Sequence, residues 1–263
     1  MNKDKFNIED YSIIDFHTHP FLESSDNLCM YKESLTMDSN TIVSDMISAG
    51  ITYFCGSVIN NNFTGFECLK KSNQDALKLR EIYNGMYIPG IHIHPHYLDE
   101  SIKEIDMAVE NDVHIIGELV PYNHGWSDYS CKELFELLEY VNEKKFIVSV
   151  HTMDMGQMEV MAREHKNIIF VFAHPGDRNR VEEHIKIMKK CDNVHIDLSG
   201  SGLHRYGVVK YLVDNVGSER ILFGTDYPIS NLSMYVNAVL SEKITEQDKR
   251  NILFKNAQRL LEI

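Results

Sequence analysis

The chain has 263 residues, of which 43% are apolar and 25% charged, a composition typical of a globular protein with a substantial core. It carries 26 basic and 39 acidic residues, so its net charge of −13 disfavours nucleic acid and anionic membrane surfaces as partners. Length alone leaves one or two domains open.

Short runs rich in Ile, Val and Phe alternate with longer amphipathic stretches, which is the pattern of a repeated β/α unit. In chain order, the predicted strands are 12–16, 51–58, 87–94, 113–120, 146–151, 167–174, 193–198 and 220–225. Crossover helices predicted between them include 131–143 and 178–190. Roughly eight parallel strands joined by helices predict an α/β fold, a single (β/α)8 barrel of the TIM type that occupies residues 1–263 as one domain.

The first predicted strand ends in the sequence Ile-Asp-Phe-His-Thr-His, at the end of the barrel where such folds place active sites. Strand alternation puts Asp15, His17 and His19 on one face, with neighbours about 6.6 Å apart. Two imidazoles at that spacing can converge on one ion, although an isolated H-x-H pair is equally typical of a surface or a hydrogen-bonded core. Asp15 lies one step deeper, so it either orients a ligand or serves as a buried support below the site.

Other predicted strands also end in metal-ligand residue types. His151 and His174 end strands five and six, and Asp226 lies in the Gly-Thr-Asp-Tyr-Pro segment after strand eight. Glu118 closes strand four, where a buried charge is costly unless it is paired in a salt bridge or bound to metal. The sequence therefore predicts a divalent-metal site formed by His17, His19, Glu118, His151, His174 and Asp226.

Residues in the predicted loops at the barrel mouth are candidate substrate contacts. His94 follows strand three. His124 and Trp126 lie in a long segment after strand four that could form a lid, although loop aromatic residues also commonly pack inward.

Further candidates follow strand seven, where His204 and Arg205 lie close in sequence. Arg205 could bind a substrate carboxylate or phosphate, but an exposed arginine at a helix start is the commoner case. The same two alternatives apply to Arg178 and Arg180, which follow strand six.

Together these motifs resemble the amidohydrolase superfamily over nearly the whole chain, from I-I-D-F-H-T-H to K-N-A-Q-R-L-L. The segment V-H-I-D-L-S-G, followed by V-G-S-E-R-I-L-F-G-T-D-Y-P, resembles the amidohydrolase-2 branch. In contrast, I-G-E on strand four and G-I-H-I-H-P-H on strand three are similar to TatD-type hydrolases. The resemblance implies a metal-dependent hydrolase.

The resemblance also implies a ligand scheme with two metal ions bridged by Glu118. In this scheme, one ion is held by His17, His19 and Asp226, and the other by His151 and His174. A mononuclear alternative places His17, His19, His151 and Asp226 on one ion and leaves His174 to polarise substrate or water. Nitrogen and oxygen ligands favour zinc as the cofactor, with manganese, iron or nickel as alternatives.

Such a centre lowers the pKa of bound water from 15.7 toward about 7 and so provides a hydroxide nucleophile, with Asp226 as the general base and acid. The expected substrate is a small ester, lactone, amide or phosphoester. The resemblance equally includes metal-dependent decarboxylases, although Glu118 favours hydrolysis because those lyases are mononuclear. A remote alternative is a barrel that binds metal without catalysis.

The remaining features concern compartment and partners. The five cysteines form no C-x-x-C pair and are expected to be reduced thiols. The first residues lack the apolar stretch of a signal peptide, and no apolar run approaches the roughly 20 residues of a membrane span. We therefore expect a cytoplasmic protein that binds a small-molecule substrate, with neither nucleic acid nor membrane as partner and with homo-oligomerisation left open.

Overall fold

The computed structural model describes residues 11–60 and 62–263. These residues form eight parallel strands that pair in the order of the sequence. The strands are β1 (Ile14–Thr18), β2 (Tyr53–Gly56), β3 (Tyr87–Ile91), β4 (Ile115–Leu119), β5 (Ile147–His151), β6 (Ile169–Ala173), β7 (Val194–Asp197) and β8 (Ile221–Leu222). Each overlaps a strand predicted from the sequence, and the single (β/α)8 barrel is confirmed.

Helices lie between successive strands and, at the C-terminal end of the chain, after the last strand. They are α1 (Ser39–Ser48), α2 (Phe66–Ile82), α3 (Leu98–Glu110), α4 (Lys132–Asn142), α5 (Met155–Glu164), α6 (Arg178–Met188), α7 (Val208–Val216), α8 (Leu232–Ser241), α9 (Glu246–Arg250) and α10 (Asn256–Leu261). A π-helical turn, Asn251–Lys255, joins α9 to α10. In the described part of the chain, no helix is both long and apolar enough to cross a membrane.

The helices form where apolar residues recur at helical spacing, and several of them begin after a polar residue whose side chain caps the first turn. In α4, Leu134, Leu137 and Leu138 are buried against the barrel. Helix α6 begins after Asp177, whose carboxylate accepts a hydrogen bond from the backbone N–H of Arg180. Both helices lie within the stretches predicted from the sequence.

A small apolar cluster fills the barrel interior near the starts of the strands. Its buried members come from strands all around the sheet and from α10: Ile14, Phe16, Cys55, Ile115, Ile147, Val171, Leu222 and Ala257. Because apolar side chains occupy this end, the polar side chains that follow them along the strands are left at the opposite, C-terminal end. The core thus determines which end of the barrel carries the site.

The barrel closes between β1 and the segment that continues β8. The backbone N–H of Phe16 donates to Phe223 O at 2.8 Å, and the N–H of His19 donates to Tyr227 O at 2.7 Å. Asp15 reinforces this seam, since its carboxylate accepts from the N–H of Thr225 at 3.0 Å and from the Thr225 hydroxyl at 2.5 Å. Of the two alternatives for Asp15, the structure favours the buried support below the site. Burial raises the pKa of its carboxyl to about 7.

Candidate metal centre

The side chains predicted to bind metal converge at the C-terminal ends of the strands. His17 lies in β1, His19 directly follows this strand, and Glu118 lies in β4. All three side chains are buried. His151 is the last residue of β5, and His174 directly follows β6. Asp226 joins them from the segment after β8, where its backbone N–H donates to His17 O at 2.8 Å.

The first donor group consists of His17, His19 and Glu118, with Asp226 beside it. The two imidazole Nε2 atoms lie 3.2 Å apart, and each is 3.5 Å from Glu118 Oε2. Asp226 Oδ1 is 3.3 Å from His19 Nε2 and 3.7 Å from His17 Nε2. Ligands held tetrahedrally at 2.0–2.1 Å from an ion are about 3.3 Å apart, so the two imidazole nitrogens and Glu118 Oε2 fit one divalent ion, and Asp226 Oδ1 lies at a similar spacing from both imidazoles.

The second donor group uses the other oxygen of Glu118. Glu118 Oε1 lies 2.9 Å from His151 Nδ1 and 3.2 Å from His174 Nε2, and the two histidine nitrogens are 3.2 Å apart. The spacing again matches ligands around a single ion. Glu118 is thus shared, with one carboxylate oxygen in each group.

The charges within this cluster depend strongly on one another. Burial opposes ionisation of Glu118, but the charge of His17 and hydrogen bonds from His151 and His17 hold its pKa well below the usual value. Burial likewise disfavours charge on His19, but hydrogen bonds to Asp226 and Glu118 raise its pKa to about 9. An ionised carboxylate among nitrogen donors is a donor set that suits a divalent cation.

Asp197, which sequence reasoning did not identify, orients the first donor group. It is the last residue of β7, fully buried, and its Oδ2 lies 2.9 Å from His17 Nδ1. A hydrogen bond donated by Nδ1 leaves the Nε2 lone pair of His17 for a metal. His19 is oriented similarly, since its Nδ1 lies 3.1 Å from the backbone carbonyl oxygen of Ser57.

Ser199 extends this support to the second donor group. Its hydroxyl donates to Asp197 Oδ1, and its oxygen lies 3.0 Å from His174 Nδ1. Asp197 therefore contacts a ligand of the first group directly and one of the second group through Ser199. The signal in the sequence was a carboxylate ending an apolar strand, the same signal that identified Glu118.

The backbone around His174 requires a glycine. His174 and Asp226 adopt positive φ values of 67° and 68°, which are uncommon for residues with a side chain and recur at functional sites. A Cβ atom on Gly200 would lie 2.2 Å from His174 Nδ1. Only glycine lets the loop after β7 approach the imidazole so closely.

An open pocket of about 270 Å³ adjoins the centre. The residues that line it are His151, Thr152, His174, Gly176, Arg180, Gly200, Ser201 and Asp226. A small molecule bound in this pocket would lie beside the donor groups.

His94, His124 and Trp126, which the sequence offered as substrate contacts, do not line this pocket. His94 is buried, and its ring nitrogens bond to the His124 carbonyl and the His96 N–H. His124 is fully buried, and Trp126 packs against Tyr129. The side chains of His124 and Trp126 therefore pack inward, which is the alternative to a lid, and a substrate role for these two residues stays a prediction.

The two candidates after β7 are exposed. His204 lines a separate surface groove with Tyr206 and Met234. Arg205 reaches the rim of the pocket, where its Nη1 lies 3.4 Å from Gly176 O. Of the candidate arginines, Arg180 is the one that lines the pocket beside the donor groups.

Comparisons with known proteins agree with this architecture. The amidohydrolase-2 family model, described as amidohydrolase, matches residues 14–263. No curated protein matches the sequence.

Among solved structures, the chain is similar to 2,6-dihydroxybenzoate decarboxylase from Rhizobium, with 14% identity, a TM-score of 0.74, and coverage of 96% of this chain and 99% of that one. It is also similar to 5-carboxyvanillate decarboxylase from Sphingomonas paucimobilis, with 12% identity, a TM-score of 0.73, and coverage of 96% and 99%. A dihydroxybenzoic acid decarboxylase from Polaromonas, with bound manganese and the inhibitor 2-nitroresorcinol, gives 14% identity, a TM-score of 0.71, and coverage of 96% and 97%. At these identities, the likeness establishes the fold.

Proposed function

Because the chain belongs to the amidohydrolase family, whose model spans residues 14–263, we propose that it is a metal-dependent enzyme that hydrolyses a small ester, lactone, amide or phosphoester. The observation that carries this proposal is the position of Glu118. Its two carboxylate oxygens face separate groups of donors, as expected of a residue that bridges two ions. We propose zinc for both positions, with manganese tested in parallel because it is bound in three similar structures.

Each ion would be held by its own set of side chains. One ion would bind to His17, His19 and Asp226, and the other would bind to His151 and His174. Glu118 would bind both ions. Divalent ions at these positions would lower the pKa of a bound water and polarise a substrate oxygen.

Asp226 is the carboxylate placed to move a proton. It lines the pocket, and the contacts of its Oδ1 with His17 and His19 hold it beside the first donor group. In hydrolysis, Asp226 would accept a proton from the attacking water and return it to the leaving group, which is general base and acid catalysis. Asp197 and Ser199 would keep the imidazoles of His17 and His174 in the required orientation.

Decarboxylation of a small aromatic acid is the second candidate function. The comparison structures named above are decarboxylases, and they support this reaction more directly than they support hydrolysis. A one-ion lyase would use His17, His19, His151 and Asp226 as its donors. The shared position of Glu118 is the feature that such a one-ion site leaves unexplained.

A substrate panel separates the two reactions. Protein loaded with zinc or manganese is assayed on esters, lactones, amides, phosphoesters and hydroxybenzoic acids. We expect metal-dependent hydrolysis of at least one class and no release of carbon dioxide. Carbon dioxide release from an acid, without hydrolysis elsewhere in the panel, would replace the hydrolase proposal with the lyase.

A further inference from the structure

Arg180 brings a permanent positive charge to the pocket beside the metal centre. It is the only lysine or arginine among the described residues that line this pocket. The protein as a whole carries a net charge of −13, so its average field repels small anions. Although Arg180 is paired with Glu183 at 3.1 Å, its guanidinium places a positive charge at the wall of the pocket.

The course of the Arg180 side chain is fixed at both ends. At its base, a Cβ on Gly176 would lie 2.8 Å from Arg180 Cγ, so the glycine lets the arginine stem lie against the loop after β6. At its tip, Nη1 donates to Met153 O at 3.0 Å and to Glu183 Oε2 at 3.1 Å. These contacts hold the guanidinium between α6 and the segment after β5.

Some N–H groups of the Arg180 guanidinium are available to a ligand in the described structure. Arginine has five N–H donors, and the contacts of Nη1 use two of them. Within residues 11–60 and 62–263, the Nε and Nη2 groups of Arg180 have no hydrogen-bond partner. Together they form the planar edge that binds a carboxylate or phosphate through two parallel hydrogen bonds.

Arg178 lies on the same helix as Arg180 and provides a comparison for it. Its side chain is 84% exposed, lies 4.0 Å from Glu182 in an i,i+4 pair, and stacks over the Tyr211 ring at 5.9 Å. It does not line the pocket. The two arginines therefore form a matched pair in charge and helix but differ in position.

We propose that Arg180 binds a carboxylate or phosphate group of the substrate, at a distance from the bond that reacts. This inference rests on the proposed function, because it takes the pocket beside the metal centre as the substrate site. The substrate would then be a small molecule with two features, a hydrolysable bond at the donor groups and an anionic group at Arg180. The pocket volume of about 270 Å³ suits a small molecule.

The test measures binding and needs no turnover. Metal-loaded protein is titrated by calorimetry with malonate, succinate and glutarate, and with the monoamide of each. Diacid and monoamide both offer one carboxylate to the metal ions, but only the diacid offers a second anion to Arg180. For at least one chain length, we expect the diacid to bind about tenfold more tightly or better, as is usual for hydrogen bonds between charged groups.

The variants assign this preference to a residue. Arg180→Gln should reduce the ratio of diacid to monoamide affinity to about one, whereas Arg180→Lys should retain part of it and Arg178→Gln all of it. Unfolding midpoints of all variants check that the fold is kept. Titration with 3-phosphonopropionate shows whether the pocket prefers a phosphonate to a carboxylate.

Several results would overturn the inference. These are a wild type with no preference for diacid or phosphonate over monoamide, an Arg180→Gln variant that keeps the preference, or equal losses in Arg180→Gln and Arg178→Gln. Because the readout is binding, a missing hydrolase activity with an intact Arg180-dependent preference would remove the proposed reaction and leave this inference standing.

Discussion

Asp226 combines two roles at the scale of a single residue, since it lies next to the first donor group and also lines the pocket. We predict that Asp226→Asn lowers kcat at least about 100-fold, because asparagine keeps the size and one oxygen but cannot accept a proton. The unfolding midpoint should change little. Steady-state assays on the best substrate of the panel give the comparison, with the exposed Asp192→Asn as control. Unchanged kcat in Asp226→Asn would assign the proton transfer to another group.

Asp197 acts through the ligands it contacts. Asp197→Asn should weaken metal binding by about 10- to 100-fold, because its carboxylate orients His17 directly and His174 through Ser199. Competition with a chromophoric chelator measures the affinity for zinc, and Asp192→Asn again provides the matched control. Equal affinities in wild type and Asp197→Asn would mean that the imidazoles are held without this carboxylate.

At the scale of elements, periodicity predicts the strands but not where they end. The segment 51–58 reads as one apolar run, yet β2 ends at Gly56. A Cβ on Gly56 would lie 1.9 Å from Thr18 O, so β1 and β2 approach there too closely for any other residue. Such contacts between strands depend on tertiary packing, which hydrophobic periodicity does not encode.

The same limit explains which site residues could be predicted. His17, His151 and Asp226 interrupt apolar runs at strand ends, and a barrel brings such ends together whatever its loops do. His94 and His124 depend instead on the path of the loops, and Trp126 packing on Tyr129 turns one loop inward. The convergence of strand-end side chains was therefore predictable, whereas the positions of loop side chains were not.

The seam between β1 and β8 gives a prediction for an element. Asp15→Ala would leave the N–H groups of His17 and Thr225 and the Thr225 hydroxyl without their acceptor. We expect a loss of about 3 kcal/mol or more in the free energy of unfolding, since unsatisfied buried groups cost about 1–3 kcal/mol each. Asp15→Asn retains an acceptor oxygen and should lose less. Urea denaturation compares the two, and equal losses would show that the seam does not depend on these bonds.

At the scale of the whole molecule, buried neutral histidines make stability depend on pH. Burial, followed by the charges of Arg220 and Arg259, lowers the pKa of His195 to about 4 from the usual 6.5. The unfolded chain therefore binds this proton at higher pH than the folded one. The contribution of neutral His195 to the free energy of unfolding is complete above pH 6.5 and is lost as pH falls toward 4.

Replacement of His195 should flatten this dependence. The free energy of unfolding should fall between pH 7 and 4.5 in both proteins. The fall in His195→Gln should be about 2–3 kcal/mol smaller than the fall in the wild type. Urea denaturation at the two pH values measures the difference, with the exposed His204→Gln as control. The same fall in His195→Gln and wild type would mean that His195 does not titrate on unfolding.

Metal content per chain tests the shared position of Glu118 most directly. Protein saturated with zinc or manganese, desalted and analysed by elemental mass spectrometry should retain about two ions per chain. Glu118→Ala should retain one or fewer, because its oxygens complete both donor groups, while the exposed Glu139→Ala should match the wild type. A wild type that binds one ion, with Glu118→Ala unchanged, would contradict the two-ion centre.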